Sequence, residues 1–262
     1  MARANRHYIP GCVWHITHRC HKQEFLLKFE KDRLRWRYWL FEAKKRYGLC
    51  VLNYIVTSNH IHLLVVDTGE DVIPQSLQLI AGRTAQEYNI RKKRKGAFWE
   101  DRYHATAVQT DGHLARCLVY IDLNMVRAGV VKHPSAYGIS GYNEIQTPPK
   151  RYSIVNRQAL NNLFCIRDEN HFRQMNREWV DLELKNDASK RQAFWSESVA
   201  VGDECFIKDI QQKLSGRISG RSIVTENGTT SLQEPQSSYS SLFGGQKGLL
   251  STGNAYFLDL TV

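Results

Sequence analysis

The sequence predicts an α+β sandwich, an antiparallel sheet with helices packed against it. One observation is the order of patterned segments over residues 12–127, which alternates as strand–helix–strand–strand–helix–strand–helix. Another is the three-residue turn Thr57-Ser58-Asn59, which joins two β-branched, apolar runs and so makes a hairpin. A third is the helix-period apolar stripe on the last helix of the series, which gives it one face for a sheet and another for something else.

Cys12–Arg19 opens the series as a strand. Lys31–Tyr47 follows as a helix with Leu34, Tyr38 and Phe41 on one stripe and Gly48 placed to cap its end. Leu49–Val56 and His60–Val66 form the hairpin strands. Ile73–Arg91 is helical and runs into the basic cluster Arg91-Lys92-Lys93-Arg94-Lys95, after which Gly96 breaks it and Tyr103–Gln109 resumes as a strand. Asp111 suits the N-cap of a helix continuing to about Arg127, with Gly129 as its stop. On that helix Leu114, Leu118, Ile121 and Met125 share one arc. Arg116, Tyr120, Asn124 and Arg127 share another, free to face a site.

Pro148-Pro149 marks a boundary. Residues 1–147 are expected to form one domain, 148–215 a mainly helical C-terminal extension, and 216–262 a Gly/Ser-rich flexible tail with Ser231–Ser241 as loop. Within the extension, Gly202-Asp203 precedes a short amphipathic piece, Phe206–Leu214. Within the tail, only Ala255–Leu260 is apolar enough to pack.

The 262 residues carry a formal net charge of +10, and the whole surplus falls within residues 1–150; the remainder is balanced. A basic half is the footprint of a polyanion binder, nucleic acid first among them. A membrane surface would need an amphipathic basic helix or an apolar anchor, and no run here is long enough to span a bilayer. The six cysteines form no C-x-x-C pair, and the first residues lack an apolar signal core, so a soluble cytoplasmic protein with reduced thiols is expected.

His60-x-His62 places two imidazoles on one face of a strand, among apolar neighbours where they are costly unless they coordinate or hydrogen-bond. Tyr120 and Asn124, at i and i+4, project side by side from a helix. Alone, the first pair is a common chance occurrence and the second fits ordinary packing. Together they supply two imidazoles and an amide oxygen for a hard divalent ion, with a phenol beside it. Arg91–Lys95 suits phosphate contacts as well as a solvated helix end, and Phe98, Trp99 and Tyr103, close to Arg102, suit base stacking or core packing. His15, His18 and His21 match no single strand face and are expected at the surface or on DNA, not as ligands. No H-E-x-x-H, Walker loop, G-x-S-x-G or zinc-ribbon spacing occurs.

Three motifs in order, Asn59-His60-Ile61-His62-Leu63-Leu64, Phe98-Trp99-Glu100-Asp101-Arg102-Tyr103 and Tyr120-Ile121-Asp122-Leu123-Asn124-Met125-Val126-Arg127-Ala128-Gly129, resemble the single-tyrosine HUH (IS200-like) transposases. Among these the chain is most similar to the REP-associated tyrosine transposases. The openings Arg6-His7-Tyr8-Ile9-Pro10-Gly11 and Trp14-His15-Ile16-Thr17-His18-Arg19 fit that family's start, and Val201–Ile207 fits its carboxyl extension. The likeness is strong over residues 6–140 and patchy to about 215. Thr57-Ser58 and Met125 depart from the family's usual Met-Pro and proline.

The resemblance implies a ferredoxin/RRM-like HUH endonuclease fold and a DNA transposase that cuts and rejoins single-stranded DNA beside hairpins. It implies Tyr120 as nucleophile, His60, His62 and Asn124 as ligands to Mg2+ or Mn2+, and a 5′-phosphotyrosine intermediate. Expected DNA contacts are Arg91, Lys92, Lys93, Arg94, Lys95, Trp99, Arg102, Arg116 and Arg127. The alternative is a domesticated relative that binds hairpin or single-stranded DNA with little cleavage. A monomer is expected over a homodimer because the extension can complete a self-contained site.

Overall fold

The computed structural model describes residues 8–69, 71–186, 192–214, 222–226 and 229–233. The strands β1 (Val13–Arg19), β2 (Cys50–Val56), β3 (His60–Val66) and β4 (His104–Val108) alternate with the helices α1 (Glu30–Tyr47) and α2 (Val72–Lys92). They pair in the order β2-β3-β1-β4, each neighbour antiparallel. A β-α-β-β-α-β chain with that strand order is the ferredoxin-like arrangement. The predicted hairpin is β2–β3.

Strand β1 sits between β3 and β4, and six of its seven residues are buried. Because successive side chains leave a strand on opposite faces, its odd- and even-numbered residues line two separate interiors. His18 stacks on Trp99, whose indole N–H donates to the carbonyl of Ala81 in α2. His15, an odd-numbered residue, faces the opposite way toward Tyr120. The expectation that His15 and His18 lie at the surface is therefore corrected: they are 0% and 7% exposed. A spacing that fits no single face implies exposure only for a strand with one buried face, and this one has two.

The stripe expected on the first helix is also displaced. Leu34 and Tyr38 are 38% and 43% exposed. Trp36, Trp39, Leu40 and Ala43, at the spacing i, i+3, i+4, i+7, form the buried face instead. Gly48 ends the helix with φ 74°, a left-handed position that glycine adopts without Cβ strain.

The helix expected from Asp111 to Arg127 is divided at Leu123 into α3 (Gly112–Asp122) and α4 (Asn124–Arg127). Asp111 caps α3 through a bond from the His113 N–H. Leu123 is anchored with Val119, Tyr142 and Val180 in a second apolar cluster, and the backbone bends there. Bonds from Leu123 N–H to Val119 and from Arg127 N–H to Leu123 keep the turn closed, so Tyr120 and Asn124 remain one turn apart. Leu114, Leu118, Ile121 and Met125 are buried, as the stripe predicted.

Beyond these come α5 (Gly141–Gln146), α6 (Arg157–Leu163), α7 (Glu169–Lys185), α8 (Phe194–Glu197), β5 (Ser198–Gly202), α9 (Glu204–Lys213), β6 (Ser222–Glu226) and β7 (Thr229–Gln233). Strand β5 joins β4 in parallel, Ala107 opposite Ala200, and β7 and β6 follow antiparallel, giving a seven-stranded sheet. The extension thus contributes strands as well as the helices expected of it. Residues 222–226 and 229–233 form a hairpin inside the segment expected to be a flexible tail, and Ser231–Gln233 belongs to it. The signal was hidden because Thr229, Thr230 and Ser231 read as loop residues, although all three are buried against the sheet. Ala255–Leu260 lies outside the described residues.

The outer edge of β2 is covered by Ser140, through a bridge to Ile55, and by Val155, through a bridge to Val51. Among the described residues no helix is long and apolar enough to cross a membrane. The six cysteines are free thiols, with Cys20, Cys50 and Cys117 buried.

Candidate active site

The turn before β3 fixes the first histidine. Thr57 Oγ1 accepts from the backbone N–H of His60 at 3.1 Å and donates to its carbonyl at 2.8 Å. Asn59 Oδ1 lies 2.7 Å from His60 Nδ1. An amide oxygen only accepts, so Nδ1 carries the hydrogen and Nε2 the lone pair. His62 shares the face of His60, their ring centroids 5.0 Å apart.

His62 is buried, with Nδ1 2.9 Å from His15 Nε2 and Nε2 3.0 Å from the Asn124 amide. Burial, reinforced by His15, His60 and Arg127, pushes its pKa well below the ordinary histidine value. Burial likewise lowers His15 to about 4. Both rings are neutral at physiological pH, the state in which imidazole offers a lone pair.

Tyr120 closes the group from α3, its ring centroid 5.8 Å from that of His62 and 6.2 Å from that of Trp195. The Arg127 guanidinium lies 4.1 Å from the Tyr120 ring centroid and donates to the Tyr120 carbonyl. His60, His62, Tyr120, Asn124 and Arg127 all line one pocket of about 360 Å³, together with Thr17, Arg19, Gln23, Asn59 and Ser196. Among the described residues no three His, Cys, Asp or Glu side chains form a group that could hold a metal ion. A cation here would need the two imidazole nitrogens and the neutral oxygen of Asn124, completed by solvent or substrate oxygens. That donor set fits a hard divalent ion that keeps part of its shell.

The other sequence-selected residues lie around this pocket or apart from it. Arg91 pairs with Asp32, and Lys92 sits 5.2 Å from the Phe29 ring centroid. Arg94 donates to the Ala97 carbonyl, while Lys93 and Lys95 are exposed. Trp99 is half-buried against His18, and Arg102 is exposed beside it. Their segment is tied to the end of β1: Glu100 N–H donates to Arg19, and His21 N–H to Phe98. Arg19 in turn stands opposite His60 in the sheet and lines the pocket, whereas Trp99, stacked on His18, lies on the other face of the sheet, and neither it nor Arg102 lines the pocket. Arg116 donates to Thr229 Oγ1 and lines an adjoining cavity of about 310 Å³ with Tyr120, Arg127 and Trp179.

Sequence reasoning missed His15, Thr17, Arg19, Gln23 and Ser196. The register Thr17 opposite His62 and Arg19 opposite His60 would have found two of them, but only once β1 and β3 are known to pair.

The ferredoxin-like sheet presents a histidine pair to a helix-borne tyrosine and asparagine across one pocket. Residues 8–124 match the family model described as Transposase IS200 like, a span of just under half the chain that contains all four residues. Among solved structures the chain is similar to a REP-associated tyrosine transposase bound to a REP hairpin, at 18% identity over 60% of this chain and 94% of that one, TM-score 0.47. It is also similar to a Deinococcus radiodurans R1 protein assigned as a transposase, at 18% identity over 46% of this chain and 95% of that one, TM-score 0.33. No curated protein matches the chain.

Proposed function

We propose that this protein is a metal-dependent single-stranded DNA endonuclease and strand transferase of the REP-associated HUH type, acting beside a DNA hairpin. The observation that carries the reading is the convergence of His60, His62, Asn124 and Tyr120 on one pocket, in a segment that matches the IS200-like transposase family model. The basic N-terminal half supports a polyanionic substrate.

His60 Nε2, His62 Nε2 and the Asn124 amide oxygen would hold Mg2+ or Mn2+, with the asparagine turned so that its oxygen faces in. When bound, the ion supplies charge to polarise a non-bridging oxygen of the scissile phosphate. Tyr120 is the nucleophile. Its Oη gives up its proton to solvent and forms a bond to phosphorus as the bond to the 3′ oxygen breaks; the leaving 3′ oxygen takes up a proton, giving a 5′-phosphotyrosine and a free 3′-OH. Attack by a 3′-OH on the same phosphorus reverses the linkage, so strands are joined without a nucleotide cofactor. Arg127, fixed across the tyrosine ring, places a positive charge beside the phosphate oxygens. The extension contributes Ser196 to the pocket lining, in keeping with a self-contained, monomeric centre.

A labelled hairpin with single-stranded flanks, run on a denaturing gel, tests this. A Mn2+- or Mg2+-dependent covalent band is expected, removed by Tyr120→Phe while hairpin binding persists. Absence of the band on any hairpin that the protein binds would favour a binding protein with little cleavage. A band surviving Tyr120→Phe would remove Tyr120 as nucleophile.

A further inference from the structure

The geometry points to His15 as a positioning residue that holds His62 in one tautomer, through a hydrogen-bonded chain that begins in the C-terminal extension. His15 is 0% exposed, and its Nδ1 lies 2.7 Å from the backbone carbonyl oxygen of Trp195. A carbonyl oxygen only accepts, so His15 Nδ1 carries the hydrogen. A neutral imidazole has one ring hydrogen, which leaves a lone pair on His15 Nε2. That lone pair faces His62 Nδ1 at 2.9 Å, so His62 Nδ1 must be the donor. The remaining nitrogen, His62 Nε2, therefore turns its lone pair into the pocket, where the Asn124 amide stands 3.0 Å away.

The chain is anchored at its origin. Thr106 Oγ1 donates to the Ser198 carbonyl at 2.6 Å and lies 3.2 Å from the Trp195 carbonyl oxygen, and His104 Nε2 lies 2.8 Å from the Ser198 carbonyl oxygen. The corner between α8 and β5 is thus held by side chains of β1 and β4. The two rings lie 12° from parallel with centroids 5.0 Å apart, the edge-to-edge arrangement that an in-plane hydrogen bond between their nitrogens requires. The family match ends at residue 124 and the carbonyl belongs to residue 195, so the extension sets the proton arrangement of a residue in the family segment. A ligand histidine oriented by a carbonyl acting through a second histidine serves the purpose usually met by one direct hydrogen bond.

That His62 binds metal rests on the function proposed above; its tautomer does not, and the two are tested separately. Long-range ¹H–¹⁵N correlation spectra of the metal-free, full-length protein with ¹⁵N-labelled histidine report which ring nitrogens carry hydrogen. His15 and His62 are both expected to be protonated at Nδ1 and bare at Nε2. His15→Gln keeps an acceptor for His62 and should preserve its pattern. His15→Phe removes the acceptor and should convert His62 to the Nε2–H form or a mixture. Mn2+ affinity, read by the paramagnetic resonance of free ion, should then fall by roughly 10–100-fold in His15→Phe and recover in His15→Gln.

A native protein with His62 protonated at Nε2 overturns the proposal, as does a folded His15→Phe with an unchanged His62 pattern. If His15→Phe does not fold, the native and His15→Gln spectra decide. A native protein that shows the expected tautomers yet takes up no Mn2+ would leave the positioning intact and remove the metal-ligand reading of His62.

Discussion

Arg127 lies across the face of Tyr120, its guanidinium carbon 4.1 Å from the ring centroid, and donates to the carbonyl of the same residue, seven positions earlier in the chain. Burial lowers the Arg127 pKa from its usual value, yet guanidinium remains charged at any working pH. A desolvated cation on an aromatic face is worth about 2 kcal/mol. Arg127→Ala is therefore expected to slow single-turnover formation of the covalent adduct by at least roughly tenfold. Arg127→Lys should recover part of this, because lysine restores charge without the planar fork. Unchanged rates in both variants would show that Arg127 only packs against the ring.

Asn124 contributes a neutral amide, so its role differs in kind from that of the histidines. Asn124→Ala should weaken Mn2+ binding and slow cleavage without abolishing either, since two imidazoles remain. Asn124→Asp keeps the shape and adds an anionic oxygen, and should tighten the ion by calorimetry. It also places a negative charge near the attacked phosphate, so a tighter ion with a slower reaction is the expected combination. If Asn124→Ala binds Mn2+ as the parent does, the asparagine serves only as a partner for His62.

The convergence of His60, His62, Tyr120 and Asn124 was legible because its signals are local: an i, i+2 pair on a strand and an i, i+4 pair on a helix survive any error in strand order. The sheet through β4 was legible for the same reason. His15 was not, because its meaning depends on β1 being buried on both faces and on a carbonyl 180 residues away. The face of α1 was misread because Leu34, Tyr38 and Phe41 are as apolar as Trp36, Trp39 and Leu40; only the tertiary partner tells them apart. The hairpin β6–β7 was missed because hydroxyl side chains buried against a sheet have the composition of a loop.

Gly141 opens α5 against β2, and no larger residue fits there. A Cβ at that position would lie 2.2 Å from Asn53 Oδ1 and 3.0 Å from the Tyr54 nitrogen. Asn53 cannot yield freely, because its oxygen accepts from Tyr54 N–H and its amide donates to Asp122. Gly141→Ala is expected to destabilise the fold by about 1–3 kcal/mol, measured by urea unfolding. No residue of α5 lines the pocket, so adduct formation per folded molecule should remain near the parent value. A variant as stable as the parent would mean that α5 shifts away from β2 at little cost.

Asp122, two residues beyond Tyr120, is 1% exposed and accepts from the amides of Asn53 at 2.8 Å and Asn176 at 3.3 Å. Burial outweighs those two bonds and raises its pKa from 3.8 to about 7. Below the lower value the carboxyl is protonated in folded and unfolded chains alike, and its full stabilising contribution is present. Between the two values the unfolded chain releases the proton while the folded chain retains it, so stability falls as pH rises, at up to about 1.4 kcal/mol per unit. Above the folded value both forms are ionised and the loss is complete. Asp122→Asn removes this titration at the cost of one donor left without its acceptor. The variant should be less stable than the parent at about pH 4 and gain on it steadily to about pH 7, the difference levelling beyond. Urea unfolding of both proteins across that range measures the difference directly, and a gap that stays constant with pH would place the Asp122 pKa near its ordinary value.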